Sequence, residues 1–403
     1  MTSTSSAATL PLAGIKVIEF THMVMGPAVG AILAELGAEV IRVEPIGGDS
    51  TRDLLGSGAG YFPMYNRAKK SICINLKDPR GVLLAKRLSR DCDVLIENFR
   101  AHAMDKLGLG YEALKVDNAR LIYCSEKGFL AGPYENRVAL DEVTQMMGGL
   151  AYMTGPPGRP LRAGASVIDV TGGMFGVIGI LAALQQRHST GRGQMVSSAL
   201  FETTVYLVGQ HMAQQIVTGK AAQPMPVRVS AWAIYEVFET ADNEQVFVGV
   251  VSDSLWQRFC EAFELHELGS NPSYRLNNQR VIAKDVLLPQ VRALFKRYSK
   301  ADLIAKLERT GLPFAPIGKP EDMFNDPHLR ASGGLGDVTL PDGTLSQLPI
   351  LPLELDGRRP TQGGHLAGVG EHTAAILRDL NFSAAMIDEF ERSGVVAGAH
   401  SDT

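Results

Sequence analysis

Ile15-Lys-Val-Ile-Glu-Phe20, an apolar run from Pro27 to Leu36, and Glu39-Val-Ile-Arg-Val43 together decide the fold. The outer two segments are short and rich in β-branched residues, as strands are; the middle one has the length and composition of a helix. Pro27 after Gly26 suits a first helical turn, and Gly37 suits its end. Strand, helix and strand in such quick succession form a βαβ unit, which implies a parallel sheet covered by helices. No G-x-G-x-x-G separates the first strand from its helix, so a conventional dinucleotide site is not expected. The crevice of such a sheet can still take another nucleotide.

Outward from this unit the alternation repeats. Ser71-Ile-Cys-Ile-Asn-Leu76 reads as a strand, Asp78 to Arg90 as an amphipathic helix with Pro79 first, and Asp93-Val-Leu-Ile-Glu97 and Arg120-Leu-Ile-Tyr-Cys-Ser125 as further strands. The pattern predicts an α/β, Rossmann-like layer structure. Loops at the strand ends carry Asn98, Phe99, Arg100, Lys106 and Lys127, where open α/β sheets collect ligand-binding groups. A helix is expected from Leu200 to Thr218, closed by Gly219, and then a linker with Pro224 and Pro226. From Trp232 the period becomes two. Ala233 to Glu239 and Gln245 to Val251 flank Ala-Asp-Asn as a hairpin, and helical patterns follow at 254–263, 287–295 and 300–309. A large Rossmann-like domain is thus expected over 10–220, completed by 335–403, with a smaller α+β domain over 230–330. Residues 1–9 read as a disordered tail.

One stretch carries the chemistry. Asp169 stands immediately before an apolar, glycine-laced run that reaches Leu184. The bland reading makes Asp169 a helix N-cap, its oxygens accepting from the N–H groups of Thr171 or Gly172. The sharper reading notes that such a helix must be buried and that Gly172 and Gly173 admit close approach. A carboxylate at its mouth is short of water and a candidate nucleophile.

With 403 residues, 45% of them hydrophobic and 20% charged, and a net charge of −4, the chain is an ordinary globular protein. Nothing in that balance argues for nucleic acid or a membrane as partner, so any anionic ligand must be held by local basic residues. Cys73, Cys92, Cys124 and Cys260 form no C-x-x-C pair and read as buried thiols rather than disulfides or metal ligands, in a reducing, cytoplasmic setting. The N-terminus lacks the features of a signal peptide, and no run of ~18 apolar residues is evident for a membrane span.

Taken in order, short motifs along nearly the whole chain resemble the class III coenzyme A-transferases, the family of formyl-CoA transferase and carnitine CoA-transferase. They are Pro11-Leu-Ala-Gly-Ile-Lys-Val-Ile-Glu-Phe-Thr-His22 with Gly26-Pro27, Leu36 to Pro45 with Gly48-Asp49 and Arg52, Asn66-Arg-Ala-Lys-Lys-Ser71, Asp93 to Arg100, Lys127-Gly-Phe with Gly132-Pro-Tyr134, Thr190-Gly-Arg-Gly-Gln194, Pro313 to Gly318 and Gly370-Glu-His-Thr373.

The resemblance implies an open-ring protomer of two α/β domains, interlocked with a second copy as a homodimer. It places Asp169 at the nucleophile, forming an acyl-aspartyl anhydride and then an aspartyl-CoA thioester. Coenzyme A or its acyl thioester is the expected substrate, with no tightly bound cofactor and no metal. CoA contacts carry over to His22, Val24, Met25, Ile74, Asn75, Lys77, Asn98, Phe99, Arg100, Lys106, Lys127, and the loop from Val138 to Asp141. Val24 stands where formate and oxalate transferases have a glutamine, and Pro45 where they have a CoA-binding arginine. A small carboxylic or dicarboxylic acceptor with succinyl-CoA as donor is therefore expected, with Arg52 as a spare cation unless it simply pairs with Asp49 at the surface. The alternatives are an α-methylacyl-CoA racemase, for which Leu140 lacks the exchangeable proton, and a non-catalytic acyl-CoA-binding module in which Asp169 is only a cap.

Overall fold

The computed structural model describes residues 10–228 and 230–398, so the expected tail over 1–9 lies outside the described residues. The chain divides into two compact units, one running to Pro226 and resuming at Pro327, the other spanning Val227–Asp326. In the first unit the elements run β1 (Lys16–Phe20), α1 (Met25–Glu35), β2 (Glu39–Glu44), α2 (Tyr61–Asn66), β3 (Lys70–Ile74), α3 (Pro79–Arg90), β4 (Val94–Glu97), α4 (Ala103–Lys106), α5 (Tyr111–Leu114) and β5 (Ile122–Lys127). They continue with α6 (Asp141–Met147), α7 (Leu150–Thr154), α8 (Val167–Thr190), β6 (Met195–Ala199) and α9 (Leu200–Thr218).

The second unit holds β7 (Tyr235–Glu239), β8 (Gln245–Gly249), α10 (Asp253–Ala262), α11 (His266–Ser270), α12 (Asn277–Ile282), α13 (Lys284–Phe295), α14 (Lys300–Glu308) and β9 (Phe314–Pro316). Its three strands pair antiparallel around Trp256, Phe259 and Phe295, all fully buried. The first unit then ends with α15 (Pro327–Ala331), β10 (Leu335–Thr339), β11 (Leu345–Pro349), α16 (Thr373–Asp379), α17 (Ala384–Arg392) and β12 (Val396–Ala397).

Seven strands form the main sheet in the order β12-β3-β2-β1-β4-β5-β6, every neighbouring pair parallel except β12 with β3. Without β12 this is the doubly wound Rossmann order, which reverses between β1 and β4. One face packs against α1 and α8 through Val17, Val29, Leu33, Val177 and Ile180. The opposite face meets α3, α16 and α17 through Leu84, Leu88, Ile376 and Ile387. The α/β, Rossmann-like expectation is borne out.

Two features were not legible in the pattern. Fully buried charges lie between α1 and the sheet: Arg42 binds Glu19, Asp49 and Asn66, while Lys69 binds Glu19 and the Pro27 carbonyl. Burial pulls the Lys69 ammonium down to about 8 against the opposing pull of Glu19. The missing side chain of Gly30 makes room, since a Cβ there would lie 1.9 Å from a Glu19 oxygen.

The second is α8. Its 24 residues, with a mean hydropathy of 2.0 over an 18-residue window, are long and apolar enough to cross a membrane by length and composition. That corrects the expectation that no stretch qualifies. Of that window, 44% is buried inside the protein, and the helix is the main partner of α1.

Glycines set that contact. A Cβ on Gly173 would come within 2.9 Å of the Met25 carbonyl, and one on Gly176 within 2.1 Å of Glu126 Oε1. Gly173→Ala must push two helices apart and is expected to cost about 1–3 kcal/mol, the usual cost of overpacking. Gly209→Ala on α9, where the methyl would meet nothing within 4 Å, should be neutral or slightly stabilising. Paired thermal melts of the two variants check this.

Candidate active site

Open α/β sheets bind ligands beyond the carboxyl ends of strands where the order reverses. Here that point lies past Phe20 of β1 and Glu97 of β4. The two loops are stitched together, because the His22 N–H donates to Asn98 Oδ1 at 3.0 Å and Asn98 Nδ2 donates to the His22 carbonyl at 2.9 Å. The rings of His22 and Phe99 stack at 6.0 Å. Burial lowers the His22 imidazole below its usual pKa, Asp49 opposing and Arg42 assisting.

Two cavities meet at this stitch. One, about 560 Å³, is lined by Val43, Pro45, Ile74, Asn75, Lys77 and Phe99. The other, about 220 Å³, is lined by Val24, Met25, Asn98, Asp141, Arg162 and Asp169 among others, and His22 lines both.

The N-cap reading of Asp169 is corrected. Helix α8 begins at Val167 after Ser166, so Asp169 is its third residue. Its first N–H groups are satisfied from elsewhere: buried Asp141, at the start of α6, accepts from the N–H of Ile168 at 2.8 Å and of Asp169 at 3.1 Å. The other Asp141 oxygen accepts from Gln145 Nε2 at 2.6 Å. A carboxylate held this way satisfies two orphan donors and the positive end of the helix. The Asp169 side chain is thereby left without a hydrogen bond among the described residues. Burial pushes its carboxyl up to about 7, the charge of Asp141 adding to the shift and Arg162 opposing it.

Of the residues expected at the site, His22, Val24, Met25, Asn98, Lys127, Asp141 and Asp169 line the smaller cavity, and His22, Ile74, Asn75, Lys77 and Phe99 the larger. Arg100, Lys106 and Val138 line neither; all three are exposed. Lys127 is not a free cation, since its Nζ binds Glu97 at 2.7 Å and the Phe99 carbonyl at 3.3 Å. Arg52 is not spare either. Its guanidinium forks onto Glu44, donates to the Ala367 carbonyl and lies over the Phe62 ring. Asp49, the surface partner one would assign to Arg52, is taken by Arg42.

The sequence reading missed Tyr61, Glu142 and Arg162 on the same cavity, which Glu126 also lines. Only Arg162 had a visible signal, as one of two arginines, with Arg159, in the Gly-Pro-rich loop that leads into α8.

The motif resemblance is borne out: CoA-transferase family III matches residues 12–373, and the chain belongs to it. It is a CoA-transferase, an enzyme that works on acyl-CoA thioesters and carboxylic acids. It is 34% identical over 394 residues to the succinate–glutarate CoA-transferase of Agrobacterium fabrum, covering 92% of this chain and 96% of that one. It is likewise 34% identical over 341 residues to the acetyl-CoA:oxalate CoA-transferase of Acetobacter aceti, covering 82% and 87%. Among solved structures, a CaiB/BaiF family protein from Brucella suis superposes with a TM-score of 0.80 at 32% identity, over 93% of this chain and all of that one.

The raised pKa fixes the sign of a pH effect. Asp169 titrates near 7 in the fold and at ~3.9 in an unfolded chain, so its neutral form supports the fold at low pH and that support is lost as pH rises through about 7. Asp169→Asn should therefore gain in melting temperature over the native protein progressively between about pH 4 and pH 8, with little gain at the acid end. Asp141→Asn, which keeps an acceptor oxygen but removes the charge, should shift the Asp169 titration to lower pH, as read from the acid limb of kcat/KM.

Proposed function

We propose that Asp169 is the covalent nucleophile and that the enzyme moves CoA from succinyl-CoA to a small dicarboxylic acid. The observation that carries this reading is the unbonded Asp169 carboxylate on a cavity wall, with the helix N–H groups satisfied by Asp141 instead. A carboxylate suits exchange because it is both nucleophile and leaving group. Asp169 attacks the thioester carbonyl, the C–S bond breaks, and an aspartyl anhydride and CoA thiolate result. The thiolate attacks the aspartyl carbonyl and expels the donor acid, leaving an aspartyl-CoA thioester. The acceptor carboxylate then attacks that carbonyl, releases the thiolate, and the thiolate takes the acceptor's acyl group and restores Asp169. Excluding water keeps the thioester energy in the covalent intermediates.

In this reading the adenosine end of CoA occupies the larger cavity beside Asn75 and Lys77, and the pantetheine arm passes the His22–Phe99 stack to reach Asp169. Both curated relatives described above are named for dicarboxylic acids, which supports that acceptor class. No tightly bound cofactor is part of the scheme. Four buried, unbridged thiols support a cytoplasmic setting. Helices α8 and α9 expose Met174, Ile178, Tyr206, Ile216 and Val217, a surface that suits a homodimer.

Incubation with succinyl-CoA, borohydride or hydroxylamine trapping and peptide mass spectrometry should find an adduct at Asp169. Asp169→Ala should lose the adduct and at least ~10³-fold in kcat; full turnover by that variant would sink the scheme. Sedimentation should give twice the chain mass.

A further inference from the structure

Resting on the dicarboxylic acceptor just proposed, we infer that Arg162 is the specificity-determining residue that holds the acceptor's second carboxylate while the first reacts at Asp169. A dianion entering the smaller cavity meets Asp169, Asp141, Glu142 and the buried Glu126 on its walls, all of them acidic side chains. It needs a cation there. Besides His22, whose imidazole is held below its usual pKa by burial, two basic side chains line this cavity, Lys127 and Arg162. The first is committed to Glu97 and the Phe99 carbonyl.

Arg162 is differently placed. Its Nε donates to the Ala163 carbonyl at 3.1 Å, which fixes the plane of the guanidinium. Of its terminal nitrogens, Nη1 reaches only exposed Glu142, at 3.5 Å, the outer limit of a hydrogen bond. Nη2 makes no hydrogen bond or ion pair among the described residues. The side chain is 36% exposed, so a planar fork of donors stands in reach of a carboxylate that can displace Glu142. Arginine binds carboxylates bidentately, and the pair is far stronger out of bulk water than an exposed contact.

The backbone around Arg162 is held by the same groups that set Asp169. The N–H of Ala163 donates to Gln145 Oε1 at 2.8 Å, and Gln145 Nε2 donates to Asp141, which caps the helix bearing Asp169. Gln145 is fully buried. One amide therefore fixes the spacing between the cation and the nucleophile, as selection by acid length requires. A monocarboxylic acceptor leaves the fork unpaired and forgoes the contact.

The test compares glutarate with its monomethyl ester, an acceptor of similar length with one charge fewer. The native enzyme should favour glutarate, and Arg162→Gln should lower the glutarate-to-ester ratio of kcat/KM on the order of 10–100-fold, chiefly through the KM for glutarate. Arg162→Lys should recover part of it. Arg162 also opposes the raised pKa of Asp169, an effect that acts on every acceptor alike. Equal losses on both acceptors, or no change in the ratio with Arg162→Lys and Arg162→Gln both folded by circular dichroism, would overturn the inference. A native enzyme that forms the Asp169 adduct yet does not discriminate the two acceptors would also remove it while leaving the covalent scheme intact. Absence of the adduct in the native enzyme would remove both.

Discussion

The contact on which the site depends is the pair of hydrogen bonds from the N–H groups of Ile168 and Asp169 to the carboxylate of Asp141. A helix start with orphan donors normally recruits its own side chain, and the obvious recruit here is Asp169. By bringing a carboxylate from α6 instead, the fold leaves Asp169 unpaired. It also sets a second negative charge beside it. Burial first, and then the charge of Asp141, oppose ionisation with no hydrogen-bond donor among the described residues to offset them, so the group is held near the point where it gives up its proton at physiological pH. A nucleophile tied to N–H donors would be more acidic and less reactive.

That arrangement requires α8 to stay close to α1, and the glycines of α8 allow it. Met25 of α1 lies against Gly172 and Gly173, and Glu126 of β5 fills the space beside Gly176. Under α1 the charges of Glu19, Arg42 and Lys69 are paired and fully buried. Breaking one such pair leaves an uncompensated charge in the interior, which costs several kcal/mol. The cluster also fixes the loop after β1, because Arg42 reaches Thr21, next to His22. Stability and site geometry thus share residues, and the strand ends have little freedom to drift.

Much of this was legible in order along the chain. Period and punctuation gave β1 to β5 of the doubly wound sheet, though not β6 or β12, together with the helix from Leu200 to Thr218 and the hairpin around Asp242, because each buries one face in a regular way. What failed were assignments made by proximity in sequence. Asp169 next to a helix start looked like its cap; the cap lies 28 residues earlier. Arg52 three residues from Asp49 looked like its partner or a free cation, yet Arg42 takes Asp49 from the neighbouring strand and Arg52 turns to Glu44. Buried ions choose partners by sheet register and packing, which no local pattern encodes. Arg162 was passed over for the same reason: its loop has no periodicity, and only the folded chain puts it on the Asp169 cavity.

Three carboxyls around α8 illustrate how far environment divides one functional group. Asp141 takes N–H donors; Asp169 is left bare and titrates near 7; Glu126, packed against Gly176, is held well above the usual carboxylate range by burial, with Glu97 adding to it and the Cys124 thiol and Lys127 opposing. One Glu126 oxygen has no partner among the described residues, which is tolerable for a neutral acid and very costly for an anion. A protonated Glu126 therefore adds no negative charge beneath the α1–α8 contact.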